Sequence, residues 1–469
     1  MIKKMLATVS PARQKILLVL GILLLATFVR FWKMEYVPHP NDGDEMAYIF
    51  AGQSLVKYGV PISWSSFSYS QNLWQKNMAT AEAVNRQEVF SLVSPWLDHP
   101  FLLPVIFGSF SEVLGWEFPT IPPAVVYRLP MLLVSFATLS LIFLIAQKLF
   151  NYWSAIFALC IASFSPSLIF IQRMVVGDSF IAMFLLLALY LFLEKRSLFY
   201  IVITAVLAAM AKVTGILIVP VICFGLILEK KYRQAIIFGV ASLSLIAGFY
   251  LLVGWLAGGS EYLEAMKNQS FRLLGWSNPA FLFSNPGFHL ERLLDFSYYL
   301  ILILGLGIFT LKQDLQRSLL GGAIVMAITL IWATSAEQDM LGWYKIPVFC
   351  LLIIAAAGMV YARKYFLVVM LLLVTCLNNV GLVRYPTHPL PSSESLRLGV
   401  GVALAALLFF LYRQPKERYI EGLIAVLLLF YAGQSLVVVD QYFEGKCTDR
   451  ECITPTVTFM QSVKDLLSR

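Results

Sequence analysis

The chain has 469 residues, of which 59% are hydrophobic and only 13% are charged, and its mean hydropathy is +0.78. This composition excludes a water-soluble globular protein, in which about a quarter of the residues are charged. The formal net charge of +8 is explained by short basic loops of a membrane protein and calls for no nucleic-acid partner.

Apolar stretches that are long enough to cross a bilayer recur from one end of the chain to the other. A membrane-spanning helix needs about 20 predominantly apolar residues, and by this measure the sequence predicts about thirteen helices. They lie near residues 15–32, 123–147, 152–170, 176–193, 198–212, 214–229, 234–257, 295–311, 318–334, 346–362, 365–383, 397–412 and 419–439. The predicted fold is an all-α polytopic membrane protein whose long first extracytoplasmic loop carries juxtamembrane helices.

The placement of lysine and arginine predicts the orientation of the chain. Basic residues precede the first helix and then occupy every second connection, for example at Lys195, Lys230 and Arg363. Because positive charge in short loops resists translocation, these connections are expected to face the cytoplasm. The pattern predicts a multi-pass protein of the plasma (inner) membrane, with a cytoplasmic N-terminus and an extracytoplasmic C-terminus.

The predicted spans divide the chain into a transmembrane core over 1–383, C-terminal helices over 384–439 and a short outer tail over 440–469. Two long extracytoplasmic loops, 33–122 and 258–294, interrupt the core. The tail contains "GKCTDREC", and in an oxidising compartment Cys447 and Cys452 are predicted to form a local disulfide instead of a metal site.

Ionisable side chains at membrane depth are costly and therefore mark candidate functional positions. Those that cytoplasmic loops do not explain all fall at predicted outer helix ends or in outer loops. They are Asp42, Asp44, Glu45, Asp98, His99, Arg128, Arg173, Asp178, Lys212, Arg272, His289, Arg292, Glu337, Asp339 and Lys345. We expect a single extracytoplasmic cavity of mixed charge to collect them.

The two signs of charge in this set favour different parts of one reaction. Arginine and lysine at the bilayer edge are suited to a lipid phosphate, and carboxylates are suited to removing a proton from an attacking hydroxyl. Together they favour the transfer of a group from a lipid phosphate to an alcohol, for which a sugar on a polyprenyl phosphate is a fitting donor.

Several short motifs resemble those of a known superfamily and occur in the same order. Asp44-Glu45-Met46-Ala47-Tyr48 is similar to the Asp-Glu-x-x-Tyr motif that opens the first outer loop of membrane-integral glycosyltransferases of the C superfamily. The resemblance is in particular to bacterial aminoarabinose lipid A transferases and protein O-mannosyltransferases. Further similar segments within residues 30–350 are "DHPFLLPVIFG", "YRLPMLLVSFATLSLIFLIAQKLF", "SPSLIFIQRMVVGDSFIAMF", "AKVTGILIVP" and "GWYKIPVF".

The resemblance implies a role for each matching residue. Asp44 matches the catalytic base, Glu45 its partner in the catalytic motif, and Tyr48 a helper at the carrier or acceptor site. The remaining residues implied to bind substrate are His99, Arg128, Arg173, Asp178, Lys212, Arg272, Tyr344 and Lys345. The aminoarabinose transferases have a phosphate-binding lysine at the position of His99, so the resemblance leaves Arg272 or Lys345 to supply that charge.

Structural roles are open alternatives for several of these residues. Asp44 is suited to capping the helix that follows it, and Arg128 to anchoring a helix at the bilayer surface. Arg173 and Asp178 are expected to form an ion pair that joins two helices, and Lys212 to anchor a turn at the bilayer edge.

The sequence therefore predicts an inverting, single-displacement glycosyltransferase that uses a polyprenyl-phosphate sugar. A protein, lipid or glycan hydroxyl would serve as the acceptor. No metal is required by the sequence, although a divalent ion is compatible with it. The alternatives are a secondary transporter, which the outer clustering of charge disfavours, and a polysaccharide polymerase or ligase acting on a lipid-linked glycan.

Overall fold

A computed structural model provides the architecture of the chain. It describes residues 10–35, 38, 43–65, 74–75, 80–83, 86–89, 92–270, 296–334, 342–384, 401, 405, 417–441, 447–448 and 451–452. Within these ranges most residues are helical, which confirms the predicted helical character of the fold.

The described α-helices fall into a long series that covers most of the predicted spans. They are α1 (Pro11–Phe31), α2 (Gly43–Tyr58), α3 (Leu102–Val113), α4 (Ala124–Leu149), α5 (Tyr152–Phe164), α6 (Pro166–Ile171), α7 (Gly177–Leu193), α8 (Leu198–Ala211), α9 (Ile218–Leu228), α10 (Tyr232–Leu256), α11 (Ser260–Ser270), α12 (Phe296–Leu306), α13 (Leu315–Thr334), α14 (Ile346–Tyr361), α15 (Tyr365–Arg384) and α16 (Glu417–Gln441). Three 3₁₀-helices precede or follow them, at Val213–Leu217, Gly307–Thr310 and Gly342–Lys345.

Within the described residues, 6 helices are long and apolar enough to cross a membrane, and further apolar helices have 10–17 residues. The count of about thirteen spans therefore stays a prediction, and the predicted span at 397–412 lies largely outside the described residues. Helices α2 and α3 lie within residues 33–122; that this stretch is an extracytoplasmic loop with juxtamembrane helices stays a prediction.

Short antiparallel strands complete the described outer regions. β1 (Ser63–Trp64) and β2 (Trp74–Gln75) both pair with β5 (Leu92–Val93), and β3 (Thr80–Ala83) pairs with β4 (Arg86–Val89). In the tail, β6 (Cys447–Thr448) pairs with β7 (Glu451–Cys452), and the register sets Cys447 opposite Cys452. The side chains of these cysteines lie outside the described residues, so the disulfide remains a prediction.

One predicted helix, 152–170, is broken in the structure into α5 and α6. Pro166 is the first residue of α6, and Ser165 before it has an extended backbone with ψ 117°. Proline lacks an amide hydrogen and disfavours a helical conformation in the preceding residue, which ends α5 at Phe164. The break brings the chain to a tight turn at 172–176, immediately before α7.

Helix α14 lies at the centre of the bundle. Every residue from Ile346 to Met359 is buried, and α14 packs against α4, α5, α7, α12 and α13. A helix that is apolar on all sides is expected in such a central position. Helix α10 is instead peripheral, with large exposed apolar side chains such as Leu251 and Trp255, as expected for a surface that faces lipid.

Helices α2 and α3 cross at two glycines. A Cβ atom at Gly52 would lie 1.9 Å from the carbonyl oxygen of Pro104, and one at Gly108 would lie 2.1 Å from the carbonyl carbon of Gly52. The backbones approach this closely because neither glycine carries a side chain. This crossing fixes α2, whose first turn contains Asp44 and Glu45.

Candidate active site

The Glu45 side chain holds the first turn of α2 against two other elements. It is fully buried and forms an ion pair with Arg128, in which Nη2 and Nε of Arg128 donate to Oε2 and Oε1 at 2.6 and 2.9 Å. The Tyr127 hydroxyl donates to Oε2 at 3.3 Å, and the Val175 amide donates to Oε1 at 2.9 Å. Glu45 thus ties α2 to α4 and to the turn at 172–176.

Arg128 is a buried residue and not a surface anchor. Its side chain is 0% exposed, and Nη1 also donates to the carbonyls of Met34 and Pro38 at 2.7 and 2.9 Å. The alternative in which Arg128 anchors α4 at the bilayer surface is therefore wrong. The guanidinium clamps the segment between α1 and α2 as well as the Glu45 carboxylate.

Arg173 binds the end of α1. Its Nη2 donates to the carbonyls of Val29 and Trp32, both at 2.7 Å, and its Nε donates to the carbonyl of Arg30 at 3.1 Å. Because the last carbonyls of a helix lack intrahelical partners and carry partial negative charge, they form a favourable site for a cation. The expected ion pair between Arg173 and Asp178 is wrong, since Asp178 pairs with a different residue.

A buried arginine that sequence reasoning did not select stands beside Arg173. Arg30 donates to the carbonyls of Ala162 and Ser163 at the end of α5, both at 2.9 Å, and to the side chain of Gln172 at 2.8 Å. The only signal in the sequence was an arginine at the end of an apolar helix, which is also typical of a residue at a bilayer surface.

Asp178 and Lys212 form the charged pair of a second region. Lys212 Nζ lies 2.7 Å from Asp178 Oδ2, and the same ammonium lies 4.1 Å from the centre of the Tyr344 ring. Asp178 is in the first turn of α7, Lys212 ends α8, and Tyr344 precedes α14. The structure therefore brings together three predicted residues that are far apart in the sequence.

An aromatic group adjoins this pair. The ring of Tyr48 lies 5.3 Å from that of His99 and 6.0 Å from that of Trp96, and the rings of Trp96 and His99 are 5.9 Å apart. Asp98, the residue before His99, is buried and accepts a hydrogen bond of 2.6 Å from Ser65. Among the described residues the buried indole nitrogen of Trp96 has no hydrogen-bond partner.

Asp44 lies near both groups of residues. Burial, followed by the charge of Asp44 and then that of Asp178, raises the pKa of Tyr48 well above its usual value of 10.0. The charge of Asp44 also acts on Lys212. Since adjacent residues of a helix point in different directions, the anchoring of Glu45 in the interior directs Asp44 towards another face.

A cavity of about 230 Å³ lies beside Asp178 and Lys212; Asp44 and Tyr48 are not among its lining residues. Its charged and polar lining residues are Asp98, His99, Asp178, Lys212, Thr214, Tyr250, Tyr262 and Tyr344. Its apolar lining residues include Leu97, Phe101, Ile181, Val213, Leu217, Phe249, Val253, Met266, Leu330 and Ile331. The cavity can therefore hold a ligand that has both polar and apolar parts.

The predicted site residues divide into separate groups. His99, Asp178, Lys212 and Tyr344 line the cavity, whereas the side chains that bind Glu45 and the end of α1 form a buried network outside the lining. Lys345 is buried beneath the Tyr298 ring, 5.5 Å from its centre. Outside the described residues lie Asp42, Arg272, His289, Arg292, Glu337 and Asp339.

Comparison with known proteins gives one family match. Residues 98–255 match the family model described as dolichyl-phosphate-mannose-protein mannosyltransferase. This range contains Arg128, Asp178 and Lys212, but it begins after the first turn of α2. No curated protein sequence matches the chain.

The fold is similar to that of ArnT from Cupriavidus metallidurans. The structure of ArnT bound to undecaprenyl phosphate has a TM-score of 0.53 and 14% identity, covering 91% of this chain and 77% of ArnT. The apo structure gives 0.54 and 16%, covering 92% and 78%. The Archaeoglobus fulgidus oligosaccharyltransferase in its apo form gives 0.46 and 12%, covering 89% of this chain and 56% of that one. The family match and the ArnT-like fold agree with the resemblance drawn from the motifs.

Proposed function

We propose that this chain is a membrane-integral glycosyltransferase that moves a sugar from a polyprenyl phosphate to an acceptor hydroxyl; the family match over residues 98–255 and the ArnT-like fold support the proposal. The reaction would take place at the extracytoplasmic face of the plasma (inner) membrane. The observation that carries the proposal is the cavity whose lining combines Lys212 and other charged or polar side chains with many apolar ones.

A cavity lined by both charged and apolar side chains fits a lipid phosphate better than a soluble nucleotide sugar. The phosphate of a polyprenyl carrier is anionic, and its isoprenoid tail is as apolar as the hydrocarbon core. Lys212 offers a cation to the phosphate, while residues such as Val253 and Ile331 offer an apolar surface to the first isoprene units. Asp178 and the Tyr344 ring fix the position of the ammonium and so reduce the entropy lost on binding.

Asp44 is the proposed catalytic base. It occupies the first turn of α2, and its charge acts on Tyr48 and Lys212 beside the cavity. Glu45 is the proposed positioning residue, because its carboxylate already accepts hydrogen bonds from Arg128, Tyr127 and Val175. One carboxylate of the motif thus holds the helix in place, and its neighbour carries out the proton transfer.

The proposed reaction is a single displacement with inversion. The Asp44 carboxylate takes the proton of the acceptor hydroxyl, and the hydroxyl oxygen attacks the anomeric carbon of the sugar. The bond between that carbon and the phosphate oxygen breaks with its electron pair, and the lipid phosphate leaves with one additional negative charge. Lys212 stabilises this charge. A protein, a lipid or a glycan can supply the hydroxyl.

The test is transfer of labelled sugar from polyprenyl-phosphate donors in membranes that contain either the wild type or Asp44→Asn. We expect the variant to lose at least about 100-fold in rate, the lower range for a general base. Asp42→Asn is the matched control, because it removes an acid two positions away. An Asp44→Asn protein that folds and keeps full activity would overturn the assignment of the base.

A further inference from the structure

Thr214 has a buried hydroxyl that no described residue binds. It belongs to the 3₁₀-helix Val213–Leu217 and lines the cavity two positions after Lys212. Its Oγ1 atom is buried, and among the described residues it has no hydrogen-bond partner. Threonine hydroxyls in helices usually bond to a nearby backbone carbonyl, as Thr204 does with the carbonyl of Tyr200 at 2.8 Å.

The backbone around Thr214 is fixed by close packing. A Cβ atom at Gly215 would lie 2.2 Å from the carbonyl oxygen of Ala208, so the turn rests directly on α8. The amide of Gly215 donates to the carbonyl of Lys212 at 2.8 Å, and the amide of Lys212 donates to the carbonyl of Ala208 at 3.1 Å. Thr214 and Lys212 are therefore held at a constant spacing beside the cavity.

A buried hydroxyl without a partner destabilises a protein, because its hydrogen bonds to water are lost and not replaced. The residue lines the cavity, so a ligand oxygen that reaches this hydroxyl would offset that cost when it binds. Lys212 supplies a positive charge on the same turn, and the neighbouring Val213 and Leu217 supply apolar surface. An anionic oxygen attached to an apolar chain has the chemistry that matches all of these groups.

We propose that the Thr214 hydroxyl donates a hydrogen bond to the phosphate of the lipid carrier and, together with Lys212, sets where the phosphate lies. This inference rests on the proposed function and adds a second phosphate-binding residue to it. The phosphate would then lie beside Lys212 and Thr214, with its lipid chain against the apolar lining residues.

The experiment compares Thr214→Val with the wild type, both as the full chain in detergent. Valine has nearly the same shape and lacks the hydroxyl. Thr214→Ser retains the hydroxyl, and Thr204→Val, on α8, removes a hydroxyl outside the cavity lining. Binding is measured for three probes: undecaprenyl phosphate, undecaprenol and inorganic phosphate. Thermal unfolding without ligand is measured in parallel.

We expect Thr214→Val to weaken the binding of undecaprenyl phosphate by about tenfold or more, as for loss of a hydrogen bond to a charged group. The same variant should unfold at a temperature equal to or above that of the wild type, since it removes an unpartnered polar group. Thr214→Ser and Thr204→Val should bind undecaprenyl phosphate within about twofold of the wild type. A destabilised Thr214→Val with unchanged binding would mean a structural hydroxyl and would overturn the inference.

The other probes separate the alternatives. If Thr214→Val weakens the binding of undecaprenol as much as that of undecaprenyl phosphate, the hydroxyl contacts the chain or the alcohol oxygen. If it weakens only the binding of inorganic phosphate, the hydroxyl belongs to a site for free phosphate. Either result overturns the proposal. A wild type that binds none of the lipids and transfers no sugar would refute the proposed function as well. Normal transfer by the wild type with normal binding by Thr214→Val would refute only the inference.

Discussion

The buried ion pair between Glu45 and Arg128 gives a quantitative test of how α2 is held. Glu45→Gln removes the negative charge and keeps the size of the side chain. Arg128, which is fully buried, would then lose the Glu45 carboxylate and keep its other partners, among them the carbonyls of Met34 and Pro38. Arg128→Met is the reciprocal change and leaves the carboxylate with the Tyr127 hydroxyl and the Val175 amide.

Breaking a buried pair by removing one partner costs about 3–5 kcal/mol, because the other charge remains in the interior. For Glu45→Gln we expect a loss of about 3 kcal/mol, at the lower end, since the amide oxygen can still accept a hydrogen bond from Arg128. For Arg128→Met we expect a loss of about 4 kcal/mol, since only two of the four hydrogen-bond donors to the Glu45 carboxylate remain. The double variant should lose less than the sum, with a coupling energy of about 2 kcal/mol or more.

The free energy of unfolding is measured by titration with a denaturing detergent in mixed micelles, for the wild type, both single variants and the double variant. Lys148→Met is the control, because it breaks the exposed pair of Lys148 with Glu194, for which little effect is expected. Sugar transfer should fall in all three Glu45 and Arg128 variants, as Asp44 loses its fixed position. Additive losses, to within about 0.5 kcal/mol, would refute a direct pair.

Two further variants test the packing and the protonation state of the site. Gly52→Ala should destabilise the protein and abolish transfer, since its methyl group would lie 1.9 Å from the Pro104 carbonyl oxygen. Gly21→Ala is the control and should fold normally, because a Cβ atom there has nothing within 4 Å. Equal yields of the two folded variants would contradict the close crossing of α2 and α3. Tyr48→Phe should lower the rate of sugar transfer without moving the alkaline limb of its pH profile. Burial and the charge of Asp44 raise the Tyr48 pKa, so the phenol stays neutral. A shifted alkaline limb would show that Tyr48 ionises and would contradict this.

The sequence allowed the helical fold and the general character of the site to be predicted, because both depend on local patterns. Apolar runs identify helices wherever they occur, and charge at membrane depth is rare enough to indicate functional positions. Asp178 and Lys212 were selected in this way and Tyr344 through the motif resemblance, and the structure brings them together. Their selection needed no knowledge of which side chain contacts which.

The pairing of the charges could not be predicted, because it depends on how helices pack. Arg173 and Asp178 are five residues apart, and that proximity favoured an ion pair. In the structure Arg173 instead donates to backbone carbonyls at the end of α1. Asp178 forms its ion pair with Lys212, which follows α8. Thr214 and Trp96 escaped selection because an unpartnered hydroxyl or indole nitrogen can be recognised only from a structure.

The central position of α14 constrains the order in which the protein is assembled. It follows more than 340 residues of chain and yet packs against α4, α5, α7, α12 and α13. During synthesis these earlier helices therefore enter the bilayer before the helix at their centre has been made. Tyr344 and Pro347, which complete the cavity, arrive with α14. A ribosome-bound chain that ends before residue 342 would therefore lack two of the side chains that line the cavity, and the cavity can be complete only after α14 has entered the bundle.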